Sequence, residues 1–143
     1  MKWIAVDYGE RRTGLAVCDA SELIVTPVTP QIEEKSLNKV AEAAAAARLA
    51  QGAEGVVCGL PRNMDGSEGE SAAAARGFAE ALSRRSGLPA ALWDERLTTV
   101  SAHNALNQTD TRGKKRKAVV DTVAATMILQ NYLDYRRNHP EQL

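Results

Sequence analysis

The first 32 residues alternate between apolar runs and short polar turns. Residues 3–6 are apolar, a basic turn follows, and residues 13–18 are again largely apolar. Two such runs joined by a few turn residues are typical of a β-hairpin. A third run, residues 23–26, is stopped by Pro27 and Pro30, a placement that suits an edge strand. Because the first run is apolar at consecutive positions, we expect a central strand covered on both faces.

The rest of the chain shows helical patterns separated by short buried strands. The sequence predicts helices over 36–51, 67–86, 98–106 and 115–136, and strands over 55–59 and 90–93. Ser67 and Glu70 have the spacing of a capping box, and Thr98 can cap the short helix. The alternation implies parallel strands with helical crossovers. We therefore predict an α/β fold with a mixed five-stranded sheet, antiparallel in its first three strands and then parallel, with helices on both faces.

Length and composition favour a single domain in a reducing compartment. The chain has 143 residues, and its 18 basic and 18 acidic residues give a formal net charge of zero. We predict one domain over 1–138 and a short tail over 139–143. Cys18 and Cys58 fall in predicted strands and are expected to be reduced core residues. No apolar stretch approaches the length of a membrane span, and no targeting segment is evident, so we expect a soluble, cytoplasmic protein without a membrane partner.

Asp7 is an acid inside the apolar first strand. An isolated buried charge is costly, so its carboxylate needs a partner, a metal ion or a proton. Sites in open α/β sheets form beyond the carboxyl ends of parallel strands. Arg62 and Asn63 follow the fourth strand and Glu95 follows the fifth, so we expect these segments to converge with Asp7 at one rim of the sheet.

Asp121 can complete this group of acids from the final helix. A helical Asp is commonly a solvated charge, but the apolar neighbours of Asp121 favour a position facing the sheet. Carboxylates are hard ligands suited to Mg²⁺ or Mn²⁺. Two such ions can activate water and stabilise the leaving oxygen in phosphodiester cleavage, without a catalytic histidine. His103 and His139 lie in polar segments and are expected at the surface.

The densest basic run is Lys114-Lys115-Arg116-Lys117, at the amino end of the final helix. Cations oppose the helix dipole there, so the run is better tolerated if an anion binds. The alternative is a solvated charge run, since no aromatic residues interleave to stack bases. Arg11, Arg12, Arg62 and Arg96 add positive charge around the proposed rim, which favours a polyanionic substrate.

Four motifs in order resemble the YqgF/RuvX family, from residue 3 to about residue 134. They are Asp7-Tyr8-Gly9 with Arg12 and Gly14, Gly59-Leu60-Pro61 with Met64-Asp65-Gly66-Ser67, Asp94-Glu95-Arg96-Leu97-Thr98-Thr99, and Asp121 with Ala124-Ala125 and Ile128-Leu129-Gln130. The resemblance implies a ribonuclease H-like fold and a nuclease that matures the 5′ end of pre-16S ribosomal RNA. It further implies that Asp7, Glu95 and Asp121 are the metal-binding catalytic acids.

The residues expected to contact substrate surround these acids. They are Arg12, Arg62, Asn63, Arg96, Thr98, Lys114, Lys115, Arg116 and Lys117. Many ribonuclease H-like nucleases present four acids, and here three are clear. Asp94 or Asp65 can supply a fourth, although Asp65-Gly66 is equally a turn.

Three other functions are compatible with this sequence. A DNA endonuclease of the Holliday junction resolvase type would cut two strands symmetrically, usually as a homodimer. An ATPase of the actin and sugar-kinase type also begins with Asp-x-Gly on a hairpin, but it needs a second domain for which this chain has no room. A non-catalytic RNA-binding module would merely tolerate the acids. The choice between RNA and branched DNA, the cleavage mode, the preferred metal, and a monomeric or homodimeric state stay open.

Overall fold

The computed structural model describes the backbone of residues 1–97 and 113–139, with side chains for residues 1–96 and 123–139. Five strands and three long helices account for most of it, together with a single 3-10 turn over Glu95–Leu97. The strands are β1 (Trp3–Asp7), β2 (Thr13–Cys18), β3 (Val25–Ile32), β4 (Gly55–Leu60) and β5 (Ala90–Asp94). The helices are α1 (Leu37–Gln51), α2 (Glu70–Ser86) and α3 (Gly113–Asn138).

All five strands form one sheet in the order β3-β2-β1-β4-β5. β1 pairs antiparallel with β2, and β2 pairs antiparallel with β3. On the other side, β1, β4 and β5 run parallel. The predicted fold class is therefore confirmed, with β1 as the central strand. Because the three parallel strands are neighbours, their carboxyl ends lie side by side at one edge of the sheet.

Helices cover both faces of the sheet, as predicted. Ile4 and Val6 of β1 pack towards α1 and α2, in a cluster that includes the fully buried Phe78. Trp3 and Ala5, at alternate positions, pack towards α3 in a second cluster. This period of two along the strand explains why both alternations of β1 are apolar.

Both cysteines are buried and carry free thiols, which agrees with their predicted core positions. Cys58 faces the α1 and α2 side and Cys18 faces the α3 side. Burial raises the pKa of the Cys58 thiol to about 12. A thiol with so high a pKa is almost entirely protonated at neutral pH, so it behaves as a small apolar side chain.

β3 is longer than the predicted 23–26 strand and continues through both prolines that were expected to stop it. Pro27 lies opposite Ala16 of β2, and pairing extends as far as Ile32. β3 is the edge strand, where a missing N–H costs little if it faces outward. Leu23 and Ile24 lie before the strand and are 61% and 65% exposed.

The predicted capping box of α2 is wrong. The helix begins at Glu70 with Gly69 as its N-cap, and no side chain caps it. Ser67 is used in the preceding loop, where its N–H and Oγ both donate to Oδ1 of Asp65 at 2.9 and 2.6 Å. A local bond between neighbouring residues has replaced the helix cap.

The other helix predictions differ only at their ends. Ser36 caps α1 as predicted, and Gly52 ends it with a φ of 69°. α3 begins two residues before the predicted 115–136 segment and ends two residues after it. The predicted helix over 98–106 and its cap Thr98 lie outside the described residues. In the part of the chain that the structure describes, no helix is long and apolar enough to cross a membrane. The division into a domain over 1–138 and a tail stays a prediction.

Candidate active site

A cleft of about 500 Å³ opens at the carboxyl ends of β1, β4 and β5. Its walls come from four separate segments: the end of β1 with the turn that follows it, the residue after β4, the first turns of α2, and the residue after β5. The lining residues are Asp7, Tyr8, Gly9, Glu10, Pro61, Glu70, Ser71, Ala74 and Glu95. This is the edge at which open α/β sheets place their binding sites.

Two of the three predicted catalytic acids meet in this cleft. Asp7 is the last residue of β1 and lies opposite Gly14 of β2. Glu95 follows β5 directly and begins the 3-10 turn. Both residues are half-buried. The parallel arrangement of β1, β4 and β5 therefore brings together two carboxylates that are 88 positions apart in the chain.

Gly59 makes room for the Glu95 carboxylate. A Cβ placed on Gly59 would lie only 3.0 Å from Oε2 of Glu95 and 2.8 Å from Cδ1 of Ile128. A strand residue with any side chain would therefore displace the acid, the α3 side chain or both. Glycine in β4 lets Glu95 and α3 approach the sheet closely at the edge of the cleft.

The pKa of the Glu95 carboxyl is raised above its ordinary value, first by burial and second by the nearby charge of Asp94. Among the described residues, no hydrogen bond or ion pair engages this carboxylate. Burial penalises a charged carboxylate, and a bound cation would favour the charged form. The electrostatics of Glu95 are therefore those of a carboxylate suited to binding a cation.

The turn after β1, which lines the cleft, packs against the core and folds tightly back on itself. The Tyr8 ring stacks on Phe78 of the core, with centroids 4.5 Å apart and planes inclined by 10°. The backbone turns tightly at Gly9, where a Cβ would lie 2.4 Å from the carbonyl oxygen of Arg12. The Gly9 N–H donates to the buried Thr13 hydroxyl at 3.4 Å. The Asp7-Tyr8-Gly9 motif thus fixes the end of β1 against the core.

Asp121 lies in α3, but its side chain lies outside the described residues. The helix places Asp121 one turn before Ala125 and two turns before Ile128, both of which are buried against the sheet. This spacing repeats along one face of a helix. Its membership of the site stays a prediction. The same holds for Lys114, Lys115, Arg116 and Lys117, whose side chains are not described, and for Thr98.

Arg62 and Arg96 lie beside the cleft in a network of ion pairs. Arg62 is 3.2 Å from Oε2 of Glu68 through Nε and 3.6 Å from Oδ2 of Asp94 through a terminal nitrogen. Arg96 pairs with the same Asp94 oxygen at 2.7 Å. We call Arg62, Glu68, Asp94 and Arg96 the loop network. Its hydrogen bonds, foremost those from Arg96, lower the pKa of Asp94.

The contacts of Asp94 and Asp65 bear on whether either residue is a fourth acid of the site. Asp94 is held by two guanidinium groups and is not part of the cleft lining. Asp65 accepts bonds from Ser67, which lower its pKa, so Asp65 makes the turn that the sequence offered as its alternative role. Neither acid lines the cleft beside Asp7 and Glu95.

Two predicted substrate contacts are occupied locally. Arg12 pairs with Glu33 at 3.5 Å, and Asn63 donates from Nδ2 to the Ser67 hydroxyl at 2.9 Å. Neither residue is part of the cleft lining. Their roles in binding substrate stay predictions.

Two further acids, Glu10 and Glu70, line the cleft and were missed as site residues. Glu70 was assigned to the capping box, and Glu10 was part of the basic turn. Their positions in the sequence could have indicated this, because Glu10 follows β1 and Glu70 begins the helix after β4. Both strands end at the edge of the sheet where the cleft lies. Among the side chains that the structure describes, no group of three or more His, Cys, Asp or Glu residues could hold a metal ion.

Comparison with known proteins agrees with the predicted family. A family model described as "RuvX: Holliday junction resolvase" matches residues 1–135. A Ruegeria pomeroyi protein is 44% identical over 133 residues, covering 93% of this chain and 86% of its own. A Limosilactobacillus fermentum protein is 41% identical over 140 residues, covering 94% of both chains. Each carries the name "Putative pre-16S rRNA nuclease".

A solved structure supports the fold independently. Thermus thermophilus RuvC, determined in complex with Holliday junction substrate, matches with a TM-score of 0.56 and 13% identity, over 94% of this chain and 96% of that one. At this identity the likeness concerns the fold, which is the predicted ribonuclease H-like arrangement. The family match covers all four segments that line the cleft. The chain therefore belongs to the RuvX family.

Proposed function

We propose that this chain is a divalent-metal-dependent nuclease that hydrolyses phosphodiester bonds in the precursor of small-subunit ribosomal RNA. The observation that carries the proposal is the meeting of Asp7 and Glu95 in one cleft of a RuvX-family fold. The relatives named for pre-16S rRNA support the choice of substrate.

Asp7 and Glu95, with Asp121 as the third acid, would hold Mg²⁺ or Mn²⁺. The donors fit, because carboxylate oxygens are the ligands these hard cations prefer. The half-buried Glu95 carboxylate fits as well, because burial and the nearby charge of Asp94 raise its pKa, and a bound cation would offset both effects. When bound, two such ions supply activation of water and charge stabilisation for phosphodiester hydrolysis.

The protein's own residues position the scissile bond. The stacked Tyr8 and the tight turn at Gly9 hold the Asp7 backbone in place, and Gly59 keeps space for Glu95. Arg62 and Arg96 pair with acids in the loop network beside the cleft, and their role as substrate contacts stays a prediction. The basic run over 114–117 is the proposed source of electrostatic attraction for the nucleic acid.

Cleavage of an end-labelled pre-16S ribosomal RNA fragment, with Mg²⁺ and separately with Mn²⁺, tests the proposal. Wild type should cut, whereas Asp7→Asn and Glu95→Gln should lose activity by several orders of magnitude while keeping the wild-type circular dichroism spectrum. Glu42→Gln, which removes an exposed carboxylate on α1, is the matched control. Full activity in Asp7→Asn would refute the assigned site, and RNA binding without cleavage in either metal would favour a non-catalytic binding role.

A second candidate is a DNA endonuclease that resolves four-way junctions. The description of the matching family as a Holliday junction resolvase favours it. A four-way DNA junction should therefore be included in the same cleavage assay, in competition with the RNA. A strong preference for the junction, together with a dimer in light scattering, would replace the RNA substrate by branched DNA.

A further inference from the structure

Met64 is the most exposed large apolar side chain in the part of the chain that the structure describes. It is 93% exposed and lies at the tip of the loop between β4 and α2. We call residues 61–69 the Met64 loop. The Met64-Asp65-Gly66-Ser67 motif contributes no residue to the lining of the cleft, so the proposed chemistry leaves it without a role.

The Met64 loop is held in one conformation by its own hydrogen bonds. The Asn63 N–H donates to the Ser67 carbonyl and the Gly66 N–H to the Asn63 carbonyl, both at 2.9 Å. Gly66 adopts a φ of 89°, which favours glycine. Asp65 accepts from Ser67 on the far side of the turn. These bonds hold the backbone of the loop around Met64, whose side chain lies in solvent.

The loop is also anchored beside the cleft. Its two flanks, Pro61 and Glu70, are both lining residues. Arg62 ties one arm of the loop to Glu68 on the other arm and to Asp94 at the end of β5. Near the tip, a Cβ on Gly66 would lie 3.4 Å from the Arg96 guanidinium. Met64 therefore projects from a braced wall of the same cleft that contains Asp7 and Glu95.

We propose that Met64 is an apolar wedge that inserts into a base step where the bound nucleic acid bends or branches. This inference rests on the proposed nuclease function. Apolar side chains, methionine among them, are used in this way to unstack a base step and kink a helix. Within the loop, Arg62 pairs with Glu68 and Asp65 accepts bonds from Ser67, which leaves Met64 as the exposed apolar group at the tip.

The wedge gives the cleft a preference for bent or branched substrate over regular helix. A regular duplex must be unstacked before Met64 can enter, which costs free energy at every step that is opened. A step next to a branch is already weakly stacked and costs less. Met64 thus selects the shape of the substrate, and the acids act on whatever phosphodiester is delivered to them.

The experiment uses two synthetic probes with 2-aminopurine at the step beside the branch: an RNA helix junction and a DNA four-way junction. Ca²⁺ replaces Mg²⁺ so that binding is measured without turnover. The variants are Met64→Ala, Met64→Leu as the conservative replacement, and Leu49→Ala as a matched control. Leu49 is 70% exposed and belongs to α1, which contributes no residue to the cleft lining.

Wild type should increase 2-aminopurine fluorescence on binding, because an unstacked base is less quenched. Met64→Ala should lose most of that increase and bind the branched probe roughly tenfold more weakly, because the apolar contact with the unstacked base step is lost. Its affinity for regular duplex should not change. Met64→Leu and Leu49→Ala should behave as wild type.

Two results would overturn the wedge and leave the nuclease function standing: binding with no fluorescence increase in wild type, or a Met64→Ala variant that matches wild type on the branched probe. A wild-type protein that binds neither probe in Ca²⁺ and does not cut the pre-16S fragment in Mg²⁺ or Mn²⁺ would refute the proposed function and the wedge together. The side chain is exposed, so the alanine variant folds as wild type does.

Discussion

Gly59, near the end of β4, leaves space that the carboxylate of Glu95, the residue after β5, partly occupies. A Cβ on Gly59 would meet Oε2 of Glu95 at 3.0 Å and Cδ1 of Ile128 at 2.8 Å. We therefore expect Gly59→Ala to destabilise the fold by about 1–3 kcal/mol, as overpacking does. It should also reduce nuclease activity, since Glu95 is displaced. Urea unfolding and the RNA cleavage assay measure the two effects.

The matched control is Gly77→Ala, an identical replacement in the middle of α2. A Cβ on Gly77 would meet nothing within 4 Å. Alanine is favoured over glycine in a helix interior, so stability should rise by about 0.5–1 kcal/mol with activity unchanged. A lower free energy of unfolding in Gly59→Ala together with a higher one in Gly77→Ala would support the close contact at Gly59. Equal changes in the two variants would contradict it.

Divalent ions should stabilise the protein through the acids of the cleft. A ligand that binds only the folded state raises the melting temperature, and clustered carboxylates are suited to bind one. We expect Mg²⁺ and Mn²⁺ to raise the melting temperature of wild type in differential scanning fluorimetry and to have little effect on Asp7→Asn. A wild-type melting temperature that is indifferent to both ions would count against a metal site in the cleft.

Arg62→Ala should loosen the Met64 loop without unfolding the protein. Arg62 joins Glu68 and Asp94, and all three side chains are partly exposed, so the loss should cost less than about 1 kcal/mol of global stability. Hydrogen exchange at the Asn63 and Gly66 amides should accelerate. Their hydrogen bonds to the Ser67 and Asn63 carbonyls should open more often once the loop has lost its ion pairs through Arg62.

Arg84→Ala is the control for this variant. Arg84 pairs with Glu80 on the exposed face of α2, far along the helix from the loop. The Arg84→Ala variant removes the same type of side chain and one ion pair. Hydrogen exchange of the amides in the Met64 loop should stay as in wild type. If both variants accelerate exchange equally, the bracing role of Arg62 is wrong.

Asp19 gives a pH dependence that is separate from the cleft. The pKa of its carboxyl is lowered from 3.8 to about 2, first by the Ser21 hydroxyl and then by the backbone N–H groups of Ile24 and Leu23. Because the folded value lies below the unfolded one, the carboxylate stabilises the fold above about pH 3.8. That contribution disappears as the pH falls towards 2.

Asp19→Asn should therefore be less stable than wild type at pH 7, with the difference shrinking between pH 4 and pH 2. Urea unfolding at a series of pH values measures this directly. Glu42→Gln again serves as a control that removes one exposed carboxylate. A difference between Asp19→Asn and wild type that stays constant down to pH 2 would show that the charge of Asp19 is not what stabilises its turn.

The sequence was most informative where one physical effect decides the structure. The double apolar alternation of β1 predicted a central strand, and the alternation of helices and strands in the second half predicted parallel strands with helical crossovers. The convergence of Asp7 and Glu95 could be predicted for the same reason, since both follow parallel strands. Whether Asp121 reaches the cleft depends on how α3 is rotated against the sheet, which the sequence pattern does not fix. Its role in the site remains a prediction.

The predictions failed where two local effects compete. Ser67 satisfied the spacing of a capping box, but Asp65 lies nearer in the chain and took its hydroxyl and N–H. Pro27 and Pro30 were expected to end a strand, but β3 continues through both of them. The sequence could not show this, because it does not reveal whether a missing N–H faces a neighbouring strand or the open edge. Glu70 was assigned to the capping box, whereas it is the first residue of α2 and lines the cleft.

The two prolines of β3 have a consequence for how copies of this protein can meet. Strand-to-strand addition at an open sheet edge requires a continuous row of backbone donors and acceptors. Pro27 and Pro30 remove two donors from the eight residues of β3. A proline whose missing N–H faces the open edge interrupts that template for a second chain, which is one way in which edge strands avoid pairing with further strands.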